Sequence, residues 1–164
     1  MRILVTGGVG FIGSYVTSLL LEDGHEVSVV DNLSTGHKDA LDSRAKLYQI
    51  DLADEAKIEK ILPGHDAVIH MAASIEVGES VKNPVEFSEN NIVNTVKLLE
   101  AMRKTDVKKI IFSSSACVYG VPQELPITED DPLGKQTNPY GITKLTMEQF
   151  SSLYHDIHNF DCVI

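Results

Sequence analysis

The sequence predicts an α/β fold built on a doubly wound parallel sheet, and three observations predict it. Short apolar runs alternate with longer stretches of helical periodicity. The apolar runs are near-continuous Val, Ile and Leu, as strands covered on both faces require, and a glycine-rich turn joins the first run to the first helical stretch. At 164 residues and 43% hydrophobic content the chain supports one core, so residues 1–164 are read as a single domain.

Strands are expected at 3–6, 27–31, 47–52, 67–73, 109–114 and 162–164, with helices at 14–23, 55–62, 84–104 and 140–158. Helix starts are marked by chemistry: Asn83 is positioned to cap, Pro84 fills the first helical position and Glu86 stands three past the cap, and Asn138-Pro139 repeats part of that signal. The stretch 121–139 holds four of the six prolines and the acidic run Glu129-Asp130-Asp131, so it reads as a surface loop on the ligand side of the sheet. The chain stops four residues into an apparent buried strand, which reads as an interrupted protein.

A formal charge of −10 argues against nucleic acid or an anionic membrane as partner, because both reward clustered Lys and Arg. Any phosphate group must then be held locally. No secretory leader and no membrane-length apolar run is apparent, and the two cysteines, Cys117 and Cys162, suit reduced thiols, so a cytoplasmic protein is expected.

The turn Thr6-Gly7-Gly8-Val9-Gly10-Phe11-Ile12-Gly13 places glycines at 7, 10 and 13 between strand and helix. Glycine permits the tight turn and lets backbone approach a pyrophosphate, while the free N–H groups and positive end of the following helix attract that anion. Asp31 ends the second strand, where a carboxylate accepts hydrogen bonds from an adenosine ribose and repels a 2′-phosphate. The expectation is an NAD-binding Rossmann domain, with NAD favoured over NADP. Asp51-Leu52, at the end of the third strand, is positioned to flank the adenine.

Tyr140 and Lys144 stand four residues apart, hence on one face of the last helix. A free tyrosine titrates near 10, so phenolate chemistry at neutral pH needs roughly 4 kcal/mol of differential stabilisation. A neighbouring ammonium and the positive ring of NAD⁺ are two sources for it. The phenolate would take a hydroxyl proton while hydride leaves the carbinol carbon. Ser115, last of the run Ser113-Ser114-Ser115 at the end of the fifth strand, is the candidate donor to the reacting oxygen. His155 and His158 share a helix face without further ligands, so no metal is expected; His70 reads as a hydrogen-bonded core histidine, and Cys117 as a packing residue near the pocket.

With those residues in place, the chain resembles the extended short-chain dehydrogenase/reductases, and among them the UDP-glucose 4-epimerases. The likeness runs through TGGVGFIGS (6–14), VVDNLSTG (29–36), HMAA (70–73), VGESVKNPVEF (77–87), ENN (89–91), SSSACVYG (113–120) and NPYGITK (138–144). The glycine motif and the Tyr/Lys pair mark the superfamily, and the VGES and SSSA-x-VYG motifs are narrower. The resemblance implies that Gly7, Gly10, Phe11, Ile12, Gly13, Asp31, Asn32, Asp51, Leu52, Ala72, Ala73, Asn91 and Lys144 contact NAD, with Tyr140 as base and Ser115 as its helper.

It further implies oxidation of carbon 4 of a UDP-hexose, rotation of the 4-keto sugar and return of hydride to its other face. A homodimer through helices 84–104 and 140–158 is implied too, as is a C-terminal substrate domain that this chain does not contain. By that reading the chain alone is an inactive fragment. Where many relatives carry a Lys that contacts the pyrophosphate, this chain has Ile75, which implies a weaker hold on NAD. Two other readings are a nucleotide-sugar 4,6-dehydratase or 4-reductase of the same family, and a non-catalytic NAD-binding module. Ala116 and Cys117, where a dehydratase carries an acidic pair, count against the dehydratase; Tyr140 and Lys144 count against the module.

Overall fold

In the computed structural model, which describes residues 1–122 and 124–164, six strands pair in parallel. They are β1 (Arg2–Thr6), β2 (Glu26–Asp31), β3 (Lys46–Gln49), β4 (Ala67–His70), β5 (Lys109–Phe112) and β6 (Asp161–Val163), in the order β3-β2-β1-β4-β5-β6. The chain moves outward from β1 through β2 to β3, then crosses back to lay β4 on the other side of β1. That reversal opens a crevice beyond the carboxyl ends of β1 and β4, where open α/β sheets bind ligands.

The helices are α1 (Phe11–Glu22), α2 (Glu55–Ile61), α3 (Val77–Lys82), α4 (Pro84–Phe87), α5 (Asn94–Lys104) and α6 (Pro139–His158). One face of the sheet packs Leu4, Val30, Val68 and Ile110 against Ile58 of α2, Leu98, Leu99 and Met102 of α5, and Tyr154 of α6. The other face packs Ile3, Val5, Val27 and Val29 against Leu20 and Leu21 of α1. α1 covers only half of it. Along one register row, Val5, Ile69, Ile111 and Val163, exposure rises from 0% at Val5 to 45% at Ile111 and 56% at Val163. Within these residues β6 is the outer strand and its Val163 is half exposed, where its composition suggests burial.

The other differences from the sequence reading have local causes. β3, β4 and β5 end several residues earlier than expected, because the chain leaves the ladder to shape the crevice; single hydrogen bonds from Ile50 N–H to Asp31 O, Met71 N–H to Thr6 O and Ser113 N–H to His70 O prolong the pairing. The six-residue α3 was not foreseen; it has no side-chain cap and too few residues to display a period. The helix expected over 84–104 is broken by a π-helical stretch, Ser88–Val93, between α4 and α5. Asn83 does not cap it: its amide donates to Glu79 Oε1 at 2.6 Å on the preceding helix instead. At α6 the cap forms, with Asn138 Oδ1 accepting from Gly141 N–H at 2.8 Å and Pro139 in the first turn. The loop expected over 121–139 carries no strand, and its helical end is Pro139; Gln123 lies outside the described residues. No helix among the described residues is long and apolar enough to cross a membrane.

Candidate active site

The crevice encloses about 750 Å³. At its floor, Gly7 adopts φ +71°, a left-handed conformation, and a side chain there would meet the Ala72 backbone nitrogen at 2.7 Å. A side chain at Gly13 would collide with the Gly7 carbonyl, so the turn can fold back on α1 only with glycine at that position. Gly10 caps α1 without a side-chain hydrogen bond, leaving the first amides of the helix, at Phe11, Ile12 and Gly13, without intrahelical partners. A methyl group on Gly10 would meet only the Gly7 oxygen, at 3.3 Å, and would otherwise fill the crevice. Bare backbone, orphan N–H groups and a helix N-terminus fit the pyrophosphate of a dinucleotide.

Asp31 stands at the end of β2 on the same wall. Its Oδ1 accepts from Leu33 N–H at 2.8 Å and its Oδ2 from Val9 N–H at 3.3 Å, which fixes the carboxylate while leaving each oxygen a further lone pair. Asn32 donates to Asp51 Oδ2 at 2.8 Å, and Asp51 Oδ1 accepts from Ala53 N–H, so the ends of β2 and β3 are tied together at the adenine end expected from sequence. Leu52, Ala72, Ala73 and the exposed Ile75 also line the crevice.

Behind the wall runs a one-directional chain of hydrogen bonds. Ala72 N–H donates to Thr6 Oγ1 at 3.4 Å, Thr6 Oγ1 lies 2.6 Å from His70 Nδ1, His70 Nε2 lies 2.8 Å from Thr95 Oγ1, and Thr95 donates to the Asn91 carbonyl at 2.5 Å. Thr95 spends its proton on Asn91, so His70 carries hydrogen on Nε2 and accepts from Thr6 at Nδ1. Burial, with a smaller contribution from the Lys144 charge, pushes His70 down to about 3 and keeps it neutral. It is the core histidine the sequence suggests.

Asn91 does not line the crevice. Its side chain donates to the Ser74 carbonyl at 2.9 Å and to Thr143 Oγ1 at 3.0 Å, and accepts from Ser74 N–H at 2.8 Å and Asn90 Nδ2 at 3.2 Å. All four positions of the amide are thus used within the protein, locking the loop after β4 to α6 between Tyr140 and Lys144. The neighbouring Asn90 faces the crevice instead.

On the β5 side, Tyr140 and Lys144 line the crevice together with Ser113 and Ser114. Lys144 is 3% exposed; its ammonium donates to the Ser113 carbonyl at 2.8 Å and sits 5.0 Å from the centre of the Phe112 ring and 6.0 Å from that of Tyr140. Burial lowers Lys144 to about 8, against the opposing pull of the Glu148 carboxylate. Ser115 lies just past the lining: half-buried, it caps the short 3₁₀ turn Ala116–Tyr119, its Oγ accepting from Cys117 N–H at 3.2 Å and its own proton free to donate. Cys117 is half-buried in that turn. No group of His, Cys, Asp or Glu among the described residues could hold a metal ion.

Of the residues expected from sequence, the crevice therefore gathers Gly7, Gly10, Phe11, Ile12, Gly13, Asp31, Asn32, Asp51, Leu52, Ala72, Ala73, Tyr140 and Lys144, and leaves Ser115 and Asn91 just outside it. Three residues escaped the sequence reading: Asn90, the carboxylate Glu76 at the mouth, and Glu148, whose Oε1 accepts from the Ser114 hydroxyl. Glu148 had a signal, since it follows Lys144 by the same four-residue step that separates Lys144 from Tyr140.

The chain is 48% identical over 151 residues to the UDP-glucose 4-epimerase of Lactobacillus helveticus, covering 91% of this chain and 46% of that protein. Among solved structures it is similar to the Brucella ovis UDP-glucose 4-epimerase in complex with NAD, at TM-score 0.94 and 41% identity over 98% of this chain and 50% of that one. It is also similar to the Bifidobacterium longum UDP-glucose 4-epimerase in complex with NAD⁺ and UDP, at TM-score 0.92 and 45% identity over 95% and 49%. The chain spans about half the length of the curated relatives it matches. With a family match over residues 3–164 added to the glycine turn, Asp31 at the end of β2 and the Tyr140/Lys144 step on α6, the chain belongs to the NAD dependent epimerase/dehydratase family.

Proposed function

We propose that this chain is the NAD-binding and proton-transferring half of a nucleotide-sugar 4-epimerase that interconverts UDP-glucose and UDP-galactose. The observation that carries the reading is that Tyr140 and Lys144 line the same crevice as Gly10 and Asp31. NAD, when bound, supplies a reversible hydride acceptor. The α1 amides and Gly10 hold its pyrophosphate, and the spare lone pairs of Asp31 accept from the adenosine ribose.

Tyr140 takes the proton of the sugar's C4 hydroxyl as hydride leaves that carbon, and returns it when hydride comes back to the opposite face. Lys144, whose ammonium lies 6.0 Å from the centre of the Tyr140 ring, is the positive charge that favours the phenolate during proton transfer. Ser115 keeps its oxygen on the Cys117 amide and donates its proton to the reacting sugar oxygen. Ala116 and Cys117 offer no acid and base for eliminating water, which favours epimerisation over dehydration. Exposed apolar residues form a stripe on α6 at Ile142, Leu153 and Ile157, beside Val85 and Val93 of the neighbouring helical segment, and suit pairing with a second copy.

Two assays test the reading. Calorimetric titration of the chain with NAD and NADP is expected to give binding that prefers NAD and loses the preference in Asp31→Asn. With UDP-galactose, the 164-residue chain alone is expected to yield no UDP-glucose, whereas the chain fused to the second half of the Lactobacillus helveticus relative is expected to yield it. Formation of a 4-keto-6-deoxy sugar by the fusion, or tighter binding of NADP, would overturn the proposal.

A further inference from the structure

α6 grips the end of β5 at two successive turns. Lys144 donates to the carbonyl of Ser113, and one turn later Glu148 accepts from the hydroxyl of Ser114. The next residue is Ser115, which starts the 3₁₀ turn that packs under the first turn of α6, where a side chain at Gly141 would stand 3.2 Å from the Cys117 carbonyl. The serine run is thus held by a cation and an anion on adjacent turns of one helix, and the helix that carries Tyr140 cannot slide along the strand end without breaking both contacts.

We propose that Glu148 is a positioning residue for this site, holding Ser114 so that the serine run and the Tyr140/Lys144 pair keep one register, and placing a carboxylate one helical turn beyond the buried ammonium. The requirement for a carboxylate follows from the surroundings. Lys144 is 3% exposed, against the Phe112 ring and a single carbonyl acceptor. The titratable groups around it are Tyr140 and Glu148 on α6 and His70 on β4. His70 is neutral, and Glu148 is the carboxylate whose field reaches the ammonium. Glu148 is then the standing counter-charge, and burial and the Glu148 field act on the ammonium in opposite directions.

Glu148 also borders a shallow groove on the outer side of α6 with Leu133, Gln149 and Asp156, so the carboxylate reaches solvent on one side while accepting from Ser114 on the other.

The role rests on Tyr140 and Lys144 being the proton-transfer pair, but its test needs neither NAD nor sugar. In the chain selectively labelled at lysine, the pH midpoint of the Lys144 side chain is read by NMR in wild type, Glu148→Gln, Glu148→Asp and Ser114→Ala. Gln keeps the acceptor and removes the charge, so the midpoint is expected to fall by roughly half to one unit. Asp restores the charge and is expected to recover most of it. Ser114→Ala keeps the charge but frees it, and is expected to shift the midpoint by less than Gln does while perturbing the Ser115 amide resonance. A merely structural role would move thermal stability in all three variants and leave the midpoint where it was; that result, or equal shifts in Gln and Asp, overturns the proposal. Failure of NAD to bind would instead count against the functional reading alone.

Discussion

The Lys144 ammonium donates to the Ser113 carbonyl at 2.8 Å from a position that leaves the residue 3% exposed. Burial lowers the group from 10.5 to about 8, so its charge costs stability at neutral pH. The unfolded chain binds the extra proton between pH 8 and 10.5, and that cost shrinks as pH rises through the window. Lys144→Met is therefore expected to raise unfolding free energy at pH 7 by about 1–2 kcal/mol, roughly 3 recovered from desolvation less 1–2 for the orphaned carbonyl, while removing proton-transfer function. Urea denaturation at pH 7 checks it, and a less stable variant would contradict the argument.

His70 gives the opposite end of the pH scale. Its ring stays neutral in the folded chain down to about 3, whereas an unfolded histidine takes a proton near 6.5. The unfolded state binds more protons between those values, so stability falls as pH is lowered through them. From pH 7 to pH 5 the loss from this one residue is expected to be roughly 2 kcal/mol. The carboxylates held low by their partners, Asp42 and Glu100 among them, act only further down. The His70 ring resonances should show no titration above pH 4, and a midpoint near 6 would refute the buried hydrogen-bonded chain from Thr6 to Asn91.

The glycines of the cradle separate steric need from conformational need. Gly13→Ala is expected to cost roughly 2–3 kcal/mol, because the new methyl collides with the Gly7 carbonyl and α1 must shift away from the turn. Gly24, outside the cradle, has positive φ, at +81°, but nothing lies within 4 Å of where its side chain would go, so Gly24→Ala is expected to cost only about 1 kcal/mol. Thermal unfolding of both variants measures the difference. Only the first should weaken NAD binding.

How far the site was legible in the sequence follows the range of the interactions that make it. The glycine turn, Asp31 and the Tyr140/Lys144 step depend on strand ends and helix period, both local, so their convergence on one crevice could be read from order alone. The fate of Asn91 could not, because its amide is saturated by Ser74 and Thr143, the latter 52 positions away. Asn83 misled for the same reason: the capping signal was genuine, but an unforeseen helix brought Glu79 within reach of its amide. Strand ends were overrun because apolar residues that line a crevice look, in sequence, like residues that line a sheet.

Ile75 stands 63% exposed at the lip of the crevice, near Glu76 and Glu79. A lysine there would add one solvated positive charge facing the pyrophosphate, an exposed interaction worth on the order of 0.5–1 kcal/mol. Ile75→Lys is accordingly expected to tighten NAD binding about two- to fivefold at low salt, with the gain vanishing toward 1 M salt as screening shortens to a few ångströms. Calorimetric titrations at two salt concentrations decide it; a gain independent of salt would mean that the lysine acts through packing.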